Sequence, residues 1–179
     1  MKPANSILSG FGTTVFEVMT RLAVEHQTIN LGQGFPDEDG PDSIKAMVTQ
    51  ATKEGPNQYP PMLGIPELRQ AVAAHNNRFY DLDVDWKSQV KVSSGATESL
   101  AASILVLIEP GDEAVLFEPL YDSYLPMLRR AGAKVKFVRL HPPEWTLPQK
   151  ELETAFTKNT KLILLNSPIN PTGKVFNKN

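Results

Sequence analysis

Three short stretches join residue types that bind ligands to spacings that set them at the ends of strands. In VSSGATES, residues 92–99, a strand pattern leads through small residues directly into a helical pattern. Gly95 and Ala96 let a ligand approach the backbone, while the N–H groups of a helix start and the hydroxyls of Ser94, Thr97 and Ser99 supply donors. That is an anion cradle suited to phosphate, although it matches neither the G-x-G-x-x-G dinucleotide pattern nor the G-x-x-x-x-G-K-[ST] P-loop. In FEPLYDSY, residues 117–124, Tyr121 follows a proline-fixed turn where its ring could cover a flat ligand at the same sheet edge. In LILLNSPINPTG, residues 162–173, four consecutive Leu/Ile residues give way to asparagines, prolines and a glycine. Such a run predicts a parallel strand buried on both faces, and the segment after it lies where open α/β sheets bind ligands. Ser167–Pro168 and Asn170–Pro171 are candidates for cis bonds that hold the Asn170 amide, a group with both donors and an acceptor, in one place. Each stretch also has a plain structural reading: a capped helix that binds nothing, a packed tyrosine, an ordinary turn.

The elements that must position these residues follow from periodicity and breakers. A helix is expected from about 14 to 26, where Thr14 and Glu17 have capping-box spacing and Val15, Met19, Leu22 and Ala23 share a face. Pro41 suits the opening of a second helix that Gly55 stops, with Ile44, Met47, Val48 and Ala51 on one side. Pro66 opens a third, whose Leu68, Val72 and Phe79 are expected to face inward. From residue 89 the rhythm alternates: strands at 90–94, 113–117, 134–140 and 162–165, with helices at about 97–108, 121–131 and 149–156. This is the pattern of an α/β layer with a mostly parallel sheet.

Composition narrows the function. With 179 residues and 41% hydrophobic content, the chain is long enough for one core and short for two full domains. Its 18 basic and 20 acidic residues form no block of one sign, which argues against nucleic acid or an anionic membrane as main partner. No cysteine is present, so thiolate metal sites, disulfides and a cysteine nucleophile are excluded. His26, His75 and His141 are widely spaced and form no metal-binding pair pattern. The opening MKPANSILSGFG has no apolar signal core and no run has the length of a membrane span, so a soluble cytoplasmic protein is expected.

Taken together, GATE after a strand, EPLYDSY, NSPINPTG, NQYPPMLGIPELR and INLGQGFPD resemble, in order and spacing, the N-terminal half of a class I/II (fold type I) pyridoxal phosphate aminotransferase. The likeness is nearest to methionine and kynurenine/glutamine aminotransferases and runs from about Phe11 to the last residue. It implies an N-terminal arm and helix at 1–40 that contribute to a small domain, and at 41–179 the first part of a cofactor-binding large domain. Gly95, Ala96 and Thr97 would hold the pyridoxal phosphate phosphate group, Tyr121 would stack on its ring and Asn170 would bond its 3-oxygen. Gly34 and Asn170 would lie by the substrate, and Phe16 would close a partner subunit's substrate pocket. Tyr59 would reach the neighbouring subunit's phosphate, which implies a homodimer with shared sites acting on amino acid and 2-oxo acid substrates.

The family's Schiff-base lysine belongs downstream of N-P-T-G, and this chain ends six residues after that motif. Lys91 opens a strand on the wrong side of the phosphate turn, and Lys174 reads as an exposed loop lysine that nothing would desolvate, so no catalytic residue is assigned within the chain. The expectation is a part of a longer enzyme that does not transaminate alone. A carbon–sulfur β-lyase, a non-catalytic dimerisation or cofactor-sensing module, and a nucleotide-binding α/β domain that uses residues 92–99 stand as the alternatives.

Overall fold

Proline and glycine set most of the helix limits. The computed structural model describes Lys2 and residues 5–177, and it resolves two units, Val15–Ser94 and the combined segments Met1–Thr14 and Gly95–Asn179. In the first unit α1 is Val15–Glu25, α2 is Asp42–Glu54 and α3 is Pro66–Tyr80. Pro41 stands immediately before α2, Gly55 ends it at φ +64°, and Pro66 opens α3. Each is used as the chemistry of a missing N–H or a missing Cβ dictates.

The expected inward face of α3 is a correction. Leu68 is 45% exposed, Phe79 is 60% exposed and Val72 lies at the surface, whereas the buried side chain of the helix is Arg69, 7% exposed. An apolar stripe predicts only that a face seeks cover, and among the described residues no surface covers this one. Arg69 is retained inside because its fork is satisfied. Its Nε donates to the Val90 carbonyl at 2.9 Å, its Nη2 to the Trp86 and Lys87 carbonyls at 2.7 and 2.8 Å, and it lies 5.3 Å from the Trp86 ring centre.

Residues 90–94, expected as a strand, form none. A strand requires a ladder of partners. This segment is instead cross-linked in the unit by bonds from Arg69 to the Val90 carbonyl and from the Val92 N–H to the Leu63 carbonyl at 3.0 Å. Gly64 makes that approach possible: at φ +97° a Cβ there would sit 2.5 Å from Val92 Cγ2.

In the second unit α4 (Gly95–Leu107) leads to β1 (Glu113–Glu118), then α5 (Tyr124–Ala131), β2 (Lys134–Arg139), α6 (Gln149–Ala155) and β3 (Thr160–Leu164). All pairings are parallel and the order is β2-β1-β3, so β1 is central. Alternation along β1 splits the core into two layers. Ala114 and Leu116 pack with Ile104 and Ile108 near α4 and Leu128 of α5. Val115 and Phe117 pack with Val138, Leu140, Ala155 and Ile169 on the opposite face. At the start of β1 the buried Glu113 carboxylate accepts the Thr157 hydroxyl at 2.7 Å and pairs with Lys136 at 3.8 Å.

The last strand is also corrected. β3 is parallel as expected, but Ile163 is 45% and neighbouring Leu165 57% exposed, while Leu162 and Leu164 face the α4/α5 layer. It is buried on one face, because α6 covers β1 and β2 and does not extend over β3. Arg69→Met should destabilise the chain by about 2–4 kcal/mol in chemical denaturation, since three carbonyls lose a common donor. Arg69→Lys, a point charge without the fork, should fail to restore the loss. A change of less than about 0.5 kcal/mol would show that water serves those carbonyls equally well.

Candidate functional site

The connections of the sheet create a crevice before any side chain is considered. The chain moves from β1 to β2 through α5 on one face, then back across β1 to β3 through α6 on the other. Right-handed crossovers in opposite directions require opposite faces, so the connection that leaves β1 and the one that arrives at β3 run on opposite faces of the sheet. Such a switch point is where open α/β sheets take ligands. Here Pro119 and Leu120 after β1 meet Asn166, Ile169 and Asn170 after β3 around a cleft of only ≈10 Å³, so the two turns are packed on each other.

Helix α4 carries the expected cradle at its start. It packs on the sheet through Ile104, and a short turn joins its C-terminal end to the start of β1, so the two elements run antiparallel. Gly95, Ala96 and Thr97 form the first turn of α4. Gly95 has φ +79°, and no atom lies within 4 Å of where its Cβ would be. That positive φ is a conformation that suits glycine.

Tyr121 is half-buried in the β1–α5 turn, and its ring meets that of Tyr124 edge-on at 5.6 Å. Tyr124 also lines the cleft beside Asn170. Burial, and then the proximity of Tyr121, raise the Tyr124 pKa, so its phenol stays protonated through the neutral range.

The turn after β3 is held by bonds of its own. Both Ser167–Pro168 and Asn170–Pro171 are cis, as expected. The Asn170 N–H donates to Asn166 Oδ1 at 2.8 Å, the Gly173 N–H to the Ile169 carbonyl at 2.7 Å and the Ile169 N–H to the Lys174 carbonyl at 2.9 Å. Ile169 plugs into the α6-side core. The Lys174 amine donates to the Glu144 carbonyl at 2.9 Å and lines a different space, an apolar groove of ≈470 Å³ on the α6 face bordered by Phe156, Ile163, Leu165 and Phe176. That groove offers surface to an apolar group and lacks the donor set found at the strand ends.

Gly95, Ala96, Thr97, Tyr121 and Asn170 all belong to the second unit, with Asn170 at the cleft and Tyr121 against the cleft residue Tyr124. Phe16, Gly34 and Tyr59 belong to Val15–Ser94. There Phe16 is half-buried on α1 and Gly34 is exposed. Gly34 follows a turn tied by Asn30 Nδ2 to Thr20 at 3.0 Å and by Thr20 to Gln33 at 3.1 Å, and Tyr59 is 99% exposed. Sequence reading missed Asn166 and Tyr124. The signals available were an asparagine four residues before Asn170 and an aromatic three residues after Tyr121. Among the described residues no group of three or more His, Asp or Glu could hold a metal, and no helix is long and apolar enough to cross a membrane.

A helix opened by glycine and parallel strands whose ends meet at a cleft make this unit an α/β domain with a candidate ligand edge. Residues 26–179 match the family "Aminotransferase class I and II". The chain belongs to that family, whose members use pyridoxal phosphate. It is 42% identical to the methionine aminotransferase of Escherichia coli over 96% of this chain and 44% of that protein. It is 45% identical to a probable N-succinyldiaminopimelate aminotransferase of Mycobacterium tuberculosis, over 95% and 43%. With the human kynurenine–oxoglutarate transaminase 3 the identity is 37%, over 96% and 40%. A crystal structure from Escherichia coli described as having a methionine aminotransferase function superposes with TM-score 0.93 at 40% identity, over 99% of this chain and 47% of that one. The chain spans less than half the length of these relatives.

Gly95→Val should weaken pyridoxal phosphate binding at least about tenfold, because a branched side chain fills the open space and strains a positive φ. Absorbance titration of both proteins checks this; equal affinities would remove the cradle from the site.

Proposed function

We propose that this chain supplies the phosphate, ring and 3-oxygen contacts of a pyridoxal phosphate-dependent aminotransferase that moves an amino group from an amino acid to a 2-oxo acid. The observation that carries the reading is the packing of the turns after β1 and β3 around one cleft that Asn170 lines. Family membership and relatives that are all named aminotransferases support it. The bound cofactor would supply the electron sink for the reaction.

In this reading Gly95, Ala96 and Thr97 hold the phosphate, Tyr121 covers the ring, and the Asn170 amide donates to the 3-oxygen. Gly34 and Asn170 border the substrate. Tyr59 and Phe16 act across a homodimer, the extreme exposure of Tyr59 being in keeping with a role toward another subunit. Residues 1–40 contribute to a small domain and 41–179 form the first part of the large one. The Schiff-base lysine comes from sequence beyond this chain, which alone does not transaminate. A cytoplasmic setting fits the chemistry. Donors of the methionine, aromatic, glutamine or kynurenine type are proposed, and the mycobacterial relative adds a succinylated diamino acid to the set to be tried.

Product analysis of the protein purified from its source, with its intact mass recorded, tests the reaction. A 2-oxo acid that retains the donor side chain is expected, whereas pyruvate with ammonia would identify elimination. Asn170→Ala should raise the pH midpoint of the bound cofactor's absorbance, because an amide donor favours the ionised 3-oxygen and its removal favours the protonated one. An unchanged midpoint would reduce Asn170 to a turn residue.

A further inference from the structure

We propose that Asn166 is the positioning residue of Asn170, transmitting the fixed end of β3 to the amide that faces the cofactor; this rests on the functional reading above. A side-chain amide can serve as a directional donor only if its backbone is held. Asn170 lies six residues beyond the end of β3 at Leu164, too far for the strand's ladder to constrain it. Asn166 lies two residues beyond that end, borders the same cleft as Asn170, and accepts the Asn170 N–H at 2.8 Å. The anchor and the anchored residue thus sit on one short arc, and the hydrogen bond closes it.

The rest of the turn stiffens the arc without touching Asn170 itself. Ile169, 5% exposed, is fixed in the core beside Val115 and Phe117, and its N–H and carbonyl are bonded to Lys174 and Gly173. Ser167 Oγ accepts the Phe176 N–H at 3.2 Å. Only the Asn166 amide oxygen addresses the backbone of residue 170 among the described side chains.

The chemistry also selects asparagine over aspartate at 166. Both side chains offer an acceptor to the Asn170 N–H. A carboxylate in the cleft would oppose the ionised 3-oxygen that Asn170 favours, whereas a neutral amide holds the backbone with no such charge. Asn166 therefore has two separable properties, an acceptor and neutrality.

Both are tested in the 179-residue chain with pyridoxal phosphate as probe. Hydrogen exchange at the Asn170 N–H, read by NMR without cofactor, should accelerate about tenfold in Asn166→Ala and stay at the wild-type rate in Asn166→Asp. With cofactor bound, Asn166→Ala and Asn166→Asp should both raise the pH midpoint of its absorbance, the first through a loosened Asn170 and the second through charge. Wild-type exchange in Asn166→Ala would overturn the proposal. Should that variant fail to fold, Asn166→Asp decides alone, and an unmoved midpoint overturns the proposal. A midpoint unmoved in Asn170→Ala, with accelerated exchange in Asn166→Ala, would instead preserve the anchor and overturn the cofactor reading.

Discussion

Every feature of the candidate site depends on the enclosure of β1. Its residues Ala114, Val115 and Leu116 are buried, with strands on both edges and helices over both faces. A strand so enclosed must be apolar along its length, and EAVLFE is, apart from its two ends. Those ends carry the polar work: Glu113 is tied to Thr157 and Lys136, and Glu118 precedes the turn that presents Tyr121. Because β2 and β3 flank β1 on opposite sides, the connecting helices must lie on opposite faces, and the crevice at the carboxyl ends follows from that alone.

The same enclosure explains why the site residues can be polar and partly exposed without weakening the core. Hydrophobic burial is concentrated in the two layers around β1, on the order of 25 cal/mol per Å² of apolar surface removed from water. The turns beyond the strands take their order from hydrogen bonds instead. Asn166 to Asn170, Ile169 to Lys174 and Gly173 to Ile169 form a small closed set, anchored through Ile169 to the core that fixes the strands. Other elements lack such cover: α1 and α2 have no buried residue, and Ile163 and Leu165 are exposed on one face of β3 and just beyond it.

What the sequence made legible was local or periodic. Prolines 41 and 66 and Gly55 marked helix limits through backbone chemistry that acts within a residue or two. Alternating strand and helix patterns gave the parallel sheet, and the order of five motifs gave the family. What it hid depended on partners distant in the chain. An apolar stripe at Leu68, Val72 and Phe79 could not say that it would stay exposed, and residues 90–94 could not say that they would meet Leu63 and Arg69 rather than a strand. The burial of Arg69 had no local signal, because the carbonyls that receive it come from the loop after α3. Asn166 read as one more turn residue because its function is a hydrogen bond, visible only once the turn is closed.

The central claim is that one sheet edge, formed by α4, β1 and β3, binds the phosphorylated cofactor. It is tested most directly by titrating pyridoxal phosphate into the isotopically labelled chain and following each backbone amide by NMR. The account predicts that Gly95, Ala96, Thr97, Tyr121 and Asn170 respond together with a single binding curve. A response confined to the α6-face groove around Phe156 and Phe176, or no response at the strand ends, would contradict it.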